Sequence, residues 1–401
     1  MSDESSADAV AAFERGHLAL AFERMERLLA DNPEDPDALW RAGDILWSLH
    51  RFEEAEERLG RAIQFESRPD HRAIAFGFRA NARSSLWRLD RAEADIREAM
   101  RLDPADLLFH LDLGRLHVRA GREGVAEEAF RRAAACDRPD GEADAHLALA
   151  RLLRAQRRYG EAREHVIRVA EIRGLDFDER ALSDDLDRVI EIRPELEEAR
   201  GWGEWVDRLF GGTDLERGPA VRAEIGERCI RDPEAPLFVY AGLAGDLLAV
   251  GRNREVLALL ERAPGEGKSA GQRILLSNAG RAAAGLGDLE RARGLFEQAI
   301  DVSPMITQPY DVYGAVLIDY GHMEEAEAVL RRGMTFEEPT QDELFYNLGQ
   351  SLRSQRRYAE ALECYERALE LDPDYDLART PKEDVERVLA EFGEPHHPSR
   401  S

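Results

Sequence analysis

Residues 354–373 read SQRRYAEALECYERALELDP, and residues 155–173 read AQRRYGEAREHVIRVAEIR. Gln355, Arg356, Arg357, Tyr358, Glu360 and Ala361 have counterparts in Gln156, Arg157, Arg158, Tyr159, Glu161 and Ala162. A chain that repeats itself at a fixed period folds as an array of like units, each leaning on its neighbours. The clearest unit spans 342–375. Phe345, Leu348, Gly349 and Leu352 recur at i, i+3, i+4 and i+7, which is one stripe of a helix. The polar run SQRR interrupts it, and Tyr358, Ala361, Leu362, Tyr365, Ala368 and Leu369 form a second stripe. Pro373 ends that stripe, because a residue before proline is pushed out of the helical region. The unit is therefore helix, turn, antiparallel helix. Gly349, Ala361 and Ala368 are small where the two helices must cross closely.

Sliding back by about 34 residues at a time recovers the same pattern, with about nine copies in phase. Residues 307–340 carry Tyr310, Gly314, Leu317, Ala326 and Leu330, and residues 273–306 carry Leu276, Gly280, Ala283, Ala292, Phe296, Ala299 and Pro304. Residues 107–140 carry His110, Leu113, Gly114, Ala126, Phe130 and Ala133, and residues 36–69 carry Leu39, Gly43, Leu46, Ala55, Leu59 and Ala62. Further copies lie at 2–35, 73–106, 143–176 and 237–270. In 73–106, Arg79 and Arg83 stand where apolar residues are expected, so its first helix is expected to turn by one residue and bury Ile74, Phe78 and Ala82. One unit alone holds too little apolar surface to offset the entropy of ordering it, so the copies must stack.

The pattern resembles the tetratricopeptide repeat. That motif is a large residue, a Leu, a small residue, a large residue, then Ala, an aromatic, Ala and Pro at fixed offsets. Residues 342–375 match it nearly throughout, with Phe345, Leu348, Gly349, Leu352, Ala361, Tyr365, Ala368 and Pro373. The resemblance implies an all-α fold, an α-α superhelix in the form of a right-handed solenoid of antiparallel helix pairs. It covers most of the chain. Residues 2–176 read as an N-terminal array of about five repeats, 177–236 as a divergent helical region, and 237–375 as a C-terminal array of about four. In the divergent region Trp202 and Trp205 are expected to fill a wider core. Residues 376–392 read as a capping helix, with Thr380 as N-cap, Pro381 at the first helical position and Glu383 at the third. Residues 393–401 read as a disordered tail.

Composition narrows the function. The formal net charge is −26, and Arg supplies 53 of the 55 basic residues, with Lys only at Lys268 and Lys382. Such a field repels phosphate, so nucleic acid and anionic membrane are excluded as expected partners. No apolar run reaches the roughly 18 residues that span a bilayer. The acidic opening MSDESSADAV lacks the order of a signal peptide, which places the expected compartment in the cytoplasm. Cys136, Cys229 and Cys364 are far apart and are read as buried, inert thiols rather than a disulfide framework or zinc site.

Catalytic motifs are poor. Gly267-Lys268-Ser269 ends like a phosphate loop, but Arg262 stands where the leading Gly belongs, and the segment follows a helix. His110 and His117 share a helix face without the three or four converging ligands of a metal site. The expectation is no enzyme activity, no cofactor and no metal.

The remaining candidate surface comes from the resemblance. In such repeats the first helix lines an inner groove, and its second, fifth, ninth and twelfth positions touch a bound peptide. Carried over by position, these are Asp37, Trp40, Asp44, Trp47, Asn81, Arg115, Arg151, Arg154, Ser277, Arg281, Gln308, Asp311, Tyr346, Gln350 and Arg353, with Arg119 flanking Arg115. The arginines suit carboxylates of an acidic or C-terminal segment. The expected function is a non-catalytic scaffold or adaptor that binds a protein or peptide partner in this groove. The alternative is a regulatory or inhibitory subunit holding a folded enzyme.

Overall fold

The computed structural model describes residues 2–104, 106–135, 139–156, 158–173, 219–231, 235, 237–264, 269–336 and 341–393. Trp202, Trp205, Cys136, Lys268 and the 394–401 tail lie outside the described residues, as does most of the divergent 177–236 region. What is described is all-α, built from antiparallel helix pairs in succession, the α-α solenoid expected from the repeat. The pairs are α1 (Ser2–Glu14) with α2 (Leu18–Asp31), α3 (Pro36–Ser48) with α4 (Phe52–Phe65), and α5 (Pro69–Ser85) with α6 (Leu89–Leu102). Next come α7 (Leu108–Arg119) with α8 (Glu123–Ala133) and α9 (Pro139–Ala155) with α10 (Tyr159–Arg173). After α11 (Pro219–Cys229) follow α12 (Leu237–Ala249) with α13 (Asn253–Arg262) and α14 (Ala270–Gly285) with α15 (Leu289–Val302). Then come α16 (Gln308–Asp319) with α17 (Met323–Gly333), α18 (Asp342–Ser354) with α19 (Tyr358–Leu371), and a last helix α20 (Arg379–Phe392).

Eight of the nine pairs close through one kind of turn, as the described residues show. At α3–α4 the His50 N–H donates to the Trp47 carbonyl and the Arg51 N–H to the Leu46 carbonyl. That double bond requires one left-handed residue after the helix. The same pair of bonds recurs at Gly16, Trp87, Gly121, Gly251, Gly287, Gly321 and Arg356. Glycine is the comfortable residue there, and it holds five of the eight positions. His50, Trp87 and Arg356 hold the others at φ of 59°, 56° and 62°. Their side chains do further work. Trp87 stacks on Tyr320, His50 packs edge-on to Phe52, and Arg356 reaches Glu23.

In five of the pairs a glycine of the first helix faces a large residue of the second. A Cβ added to Gly43 would come within 2.5 Å of Leu59, to Gly114 within 2.3 Å of Phe130, to Gly314 within 2.4 Å of Leu330, and to Gly349 within 2.6 Å of Tyr365. Tyr358, Tyr365, Phe22, Phe130 and Phe296 are the largest fully buried side chains. Cys229 and Cys364 are buried free thiols, and burial pushes their pKa up to about 12 and about 11.

The described chain forms two units. One comprises residues 1–106 and 305–401, the other residues 107–304. The first therefore unites both ends of the sequence, with α20 packed on α19 and on α2.

Two local expectations need correction. The α5 helix buries Ala73, Ala75, Gly77, Ala80 and Ala82, while Ile74 and Phe78 are only half-buried. No rotation is needed, because Arg79 and Arg83 both reach the buried Asp95 on α6, at 2.7 Å each. The carboxylate of the second helix makes room for charge on the first. At the last helix, Arg379 already lies inside α20, and its N-cap residue Ala378 offers no side chain. Thr380 caps nothing because the short 3-10 turn Asp376–Ala378 runs directly into the helix.

Candidate functional site

The residues singled out by position fall into both units, and each unit has its own surface. In the first unit, α3 and α5 lie side by side and share an aromatic strip. The Trp40 ring stacks on Phe78 with centroids 5.5 Å apart and planes 15° apart, and Arg41 lies 4.5 Å over Trp40. The Trp47 indole N–H donates to Ser85 Oγ at 3.1 Å, and the side of the ring remains exposed. Asn81 is half-buried on α5. Between the two tryptophans sits Asp44, whose carboxyl burial pushes up to about 6 against the pull of Arg41.

At the start of α3, Asp37 meets Glu66 and His71 closely enough to suggest a metal site. Arg68 fills that position instead. Its Nη2 donates to Asp37 Oδ1 at 2.9 Å and to Glu66 Oε2 at 2.7 Å. A guanidinium fork neutralises the carboxylates that a cation would need.

A second patch of the first unit lies on α16 and α18. Gln350 donates to the Tyr346 hydroxyl at 3.0 Å and accepts from the Tyr365 hydroxyl at 2.8 Å. Tyr346 meets Tyr375 edge to face, 5.5 Å between centroids. Asp311 accepts from the Asn347 amide at 2.7 Å. Burial, together with the nearby Glu343 and Asp342, pushes its carboxyl up to about 7. Phe78, Asn347 and Tyr375 were not legible as contributors from repeat position alone. Phe78 showed only as a core residue of a rotated helix. Arg353 stands apart from this patch. It is 7% exposed and donates to Asp384 Oδ2 at 3.3 Å.

In the second unit the arginines stand on first helices. Arg115 on α7 has 56% of its side chain exposed and meets Asp112 and Asp144 only loosely, at 3.8 and 3.9 Å. Arg119 on α7, Arg151 on α9 and Arg281 on α14 are exposed. Arg154 lies on α9, and its side chain is outside what the structure describes. Helices α7 and α9 touch, which puts Arg115 and Arg151 on neighbouring first helices. His117 is buried and His110 half-buried. Burial and the Arg132 charge lower the His110 pKa, favouring a neutral ring within the packing. The first unit offers half-buried aromatic and hydrogen-bonding groups, and the second presents arginines to solvent.

Sequence profiles described as tetratricopeptide repeat match residues 12–74, 79–142 and 343–375. No curated protein sequence matches the chain. Among solved structures, a thermophilic TPR protein of Thermus thermophilus is 24% identical, covering 46% of this chain and 98% of its own, with a TM-score of 0.37. Yeast Tom70 is 14% identical, covering 97% of each chain, at a TM-score of 0.38. The APC/C hetero-tetramer Cut9–Hcn1 is 15% identical, covering 98% of this chain and 84% of that one, at 0.39. Among the described residues, no helix is long and apolar enough to cross a membrane.

Proposed function

Because this chain belongs to the tetratricopeptide-repeat family, we propose that it is a scaffold that holds a partner protein through side chains on the first helices of its repeats. The repeat is a non-catalytic protein-interaction fold, and rigid helices presenting side chains at fixed intervals read an extended or helical partner. In the second unit the partner segment is acidic, or ends in a carboxylate, and the reading residues are Arg115, Arg151 and Arg154, with Arg119 and Arg281 alongside. The observation that carries this is the state of Arg115. Its guanidinium is exposed, and its acidic neighbours lie beyond hydrogen-bonding distance. A planar fork left so loosely held is free to grip an incoming carboxylate in two places. In the first unit, Trp40, Trp47 and Tyr346 supply broad faces for apolar or cationic side chains of the partner.

The test is affinity capture with the full chain, followed by cross-linking and peptide mapping. Arg115→Glu, Arg151→Glu and Arg154→Glu combined should reduce capture roughly ten-fold or more while helicity is unchanged. Unaltered capture overturns the arginine reading. Capture that needs an intact folded enzyme, with no short segment sufficing, overturns the segment reading in favour of a regulatory subunit.

A further inference from the structure

Helix α2 begins without a cap of its own, since the side chain of His17 makes no capping bond. The missing acceptor comes from the opposite end of the chain. Asp384 on α20 is fully buried. Its Oδ2 accepts the Ala19 N–H and its Oδ1 accepts the Leu20 N–H, both at 3.0 Å. Arg353 of α18 donates to the same Oδ2 at 3.3 Å. Around this centre, Arg356 forks onto Glu23 of α2 at 2.8 and 2.6 Å, and the Tyr358 hydroxyl donates to Glu23 at 2.8 Å. At the rim Arg24 forks onto Glu391 at 3.2 and 2.7 Å, and Arg27 lies 4.3 Å over Phe392. Asp384, Val388 and Glu391 are spaced i, i+4 and i+7, so a single face of α20 makes the contact.

Terminal helices of repeat arrays need an apolar inner face and a polar outer one. A carboxylate at full burial is not part of that requirement. Apolar packing of like volume would hold as well as a buried ion pair. Two buried polar atoms beside Asp384 also lack a partner. His17 is 6% exposed with Nδ1 unpartnered, and Arg353 is 7% exposed with Nε unpartnered. Buried polar atoms without partners weaken a contact.

We propose that the N-terminus of α2, together with Arg353, is a carboxylate-recognising site for helices, and that α20 occupies it as a tethered ligand. An acidic amphipathic helix of a partner, with carboxylates in the spacing of Asp384 and Glu391, takes the place of α20. This site is separate from Arg115, Arg151 and Arg154 and does not depend on how they are read.

The probe is a labelled peptide of residues 379–392, titrated into the full-length protein. In the wild-type chain the tethered α20 competes at a high effective concentration, so binding should be weak. The full-length Asp384→Ala variant should bind the peptide roughly ten-fold or more tightly than wild type. The same peptide carrying Asp384→Asn should lose that gain. No binding to Asp384→Ala, or equal binding of the Asn peptide, overturns the proposal. Should Asp384→Ala fail to fold, full-length Arg24→Glu replaces it, and a peptide carrying Glu391→Arg must then be preferred over the unaltered peptide. Equal preference overturns the proposal.

Discussion

Asp311 is an acid that its surroundings keep from ionising. Burial and the neighbouring Glu343 and Asp342 push it to about 7 from an ordinary 3.8, while the Asn347 amide pulls the other way. A raised carboxyl pKa favours the protonated folded state. Its stabilising effect is complete below 3.8 and drains away as pH rises, because the unfolded chain ionises first; the loss is finished above 7. Asp311→Asn does not titrate. The variant should therefore gain on the wild type as pH rises from 4 to 7, by some fraction of about 1.4 kcal/mol per pH unit, and keep a constant lead above 7. Thermal denaturation of both proteins across that range checks it, and a lead that does not change with pH refutes the assignment. Single residues such as this were only partly legible in the sequence. Arg79 and Arg83 looked misplaced because periodicity examines one helix at a time, and the answer, Asp95, sits on the next helix. Arg353 took a groove position by count, yet its partner lies 31 residues onward in Asp384.

Helices were more legible than residues because each element carries its own signal many times over. Apolar spacing marks the stripes, and glycine marks most of the turns. Where a side chain holds the left-handed turn position, as at Trp87, the local signal disappears although the turn does not. The start of α20 was misjudged for a related reason, since a Thr-Pro pair reads as a cap whether or not a 3-10 turn already precedes it. At this scale the tightest demand is the glycine that faces a large side chain across five of the pairs. A methyl group on Gly349 would press on the Tyr365 ring at 2.6 Å, and Tyr365 is fully buried with its hydroxyl bound to Gln350. Gly349→Ala should therefore destabilise by about 1–3 kcal/mol despite the better helix propensity of alanine. Gly294→Ala, on a helix face with nothing within 4 Å, should stabilise by about 0.5–1 kcal/mol. Denaturant midpoints of the two variants should shift in opposite directions, and a shared direction would refute the packing argument.

The stacking of neighbouring repeats was legible because chain order gives it directly. The union of residues 1–106 with 305–401 was not. Contacts such as Arg356 with Glu23, 333 positions apart, follow no period and leave no trace in a repeat pattern. Helices α2 and α20 share bonds at Asp384 and Glu391. They should open as one cooperative piece. Native-state amide exchange in graded urea should give Ala19, Leu20 and the α20 amides the same opening free energy and the same slope. Different slopes would mean that the two ends open independently. This arrangement also imposes an order on biosynthesis. At ordinary elongation rates, on the order of tens of seconds separate the emergence of α2 from that of Asp384. Throughout that interval the nascent α2 lacks the acceptor for its leading amides, and a segment made long before Asp384 is completed only after it.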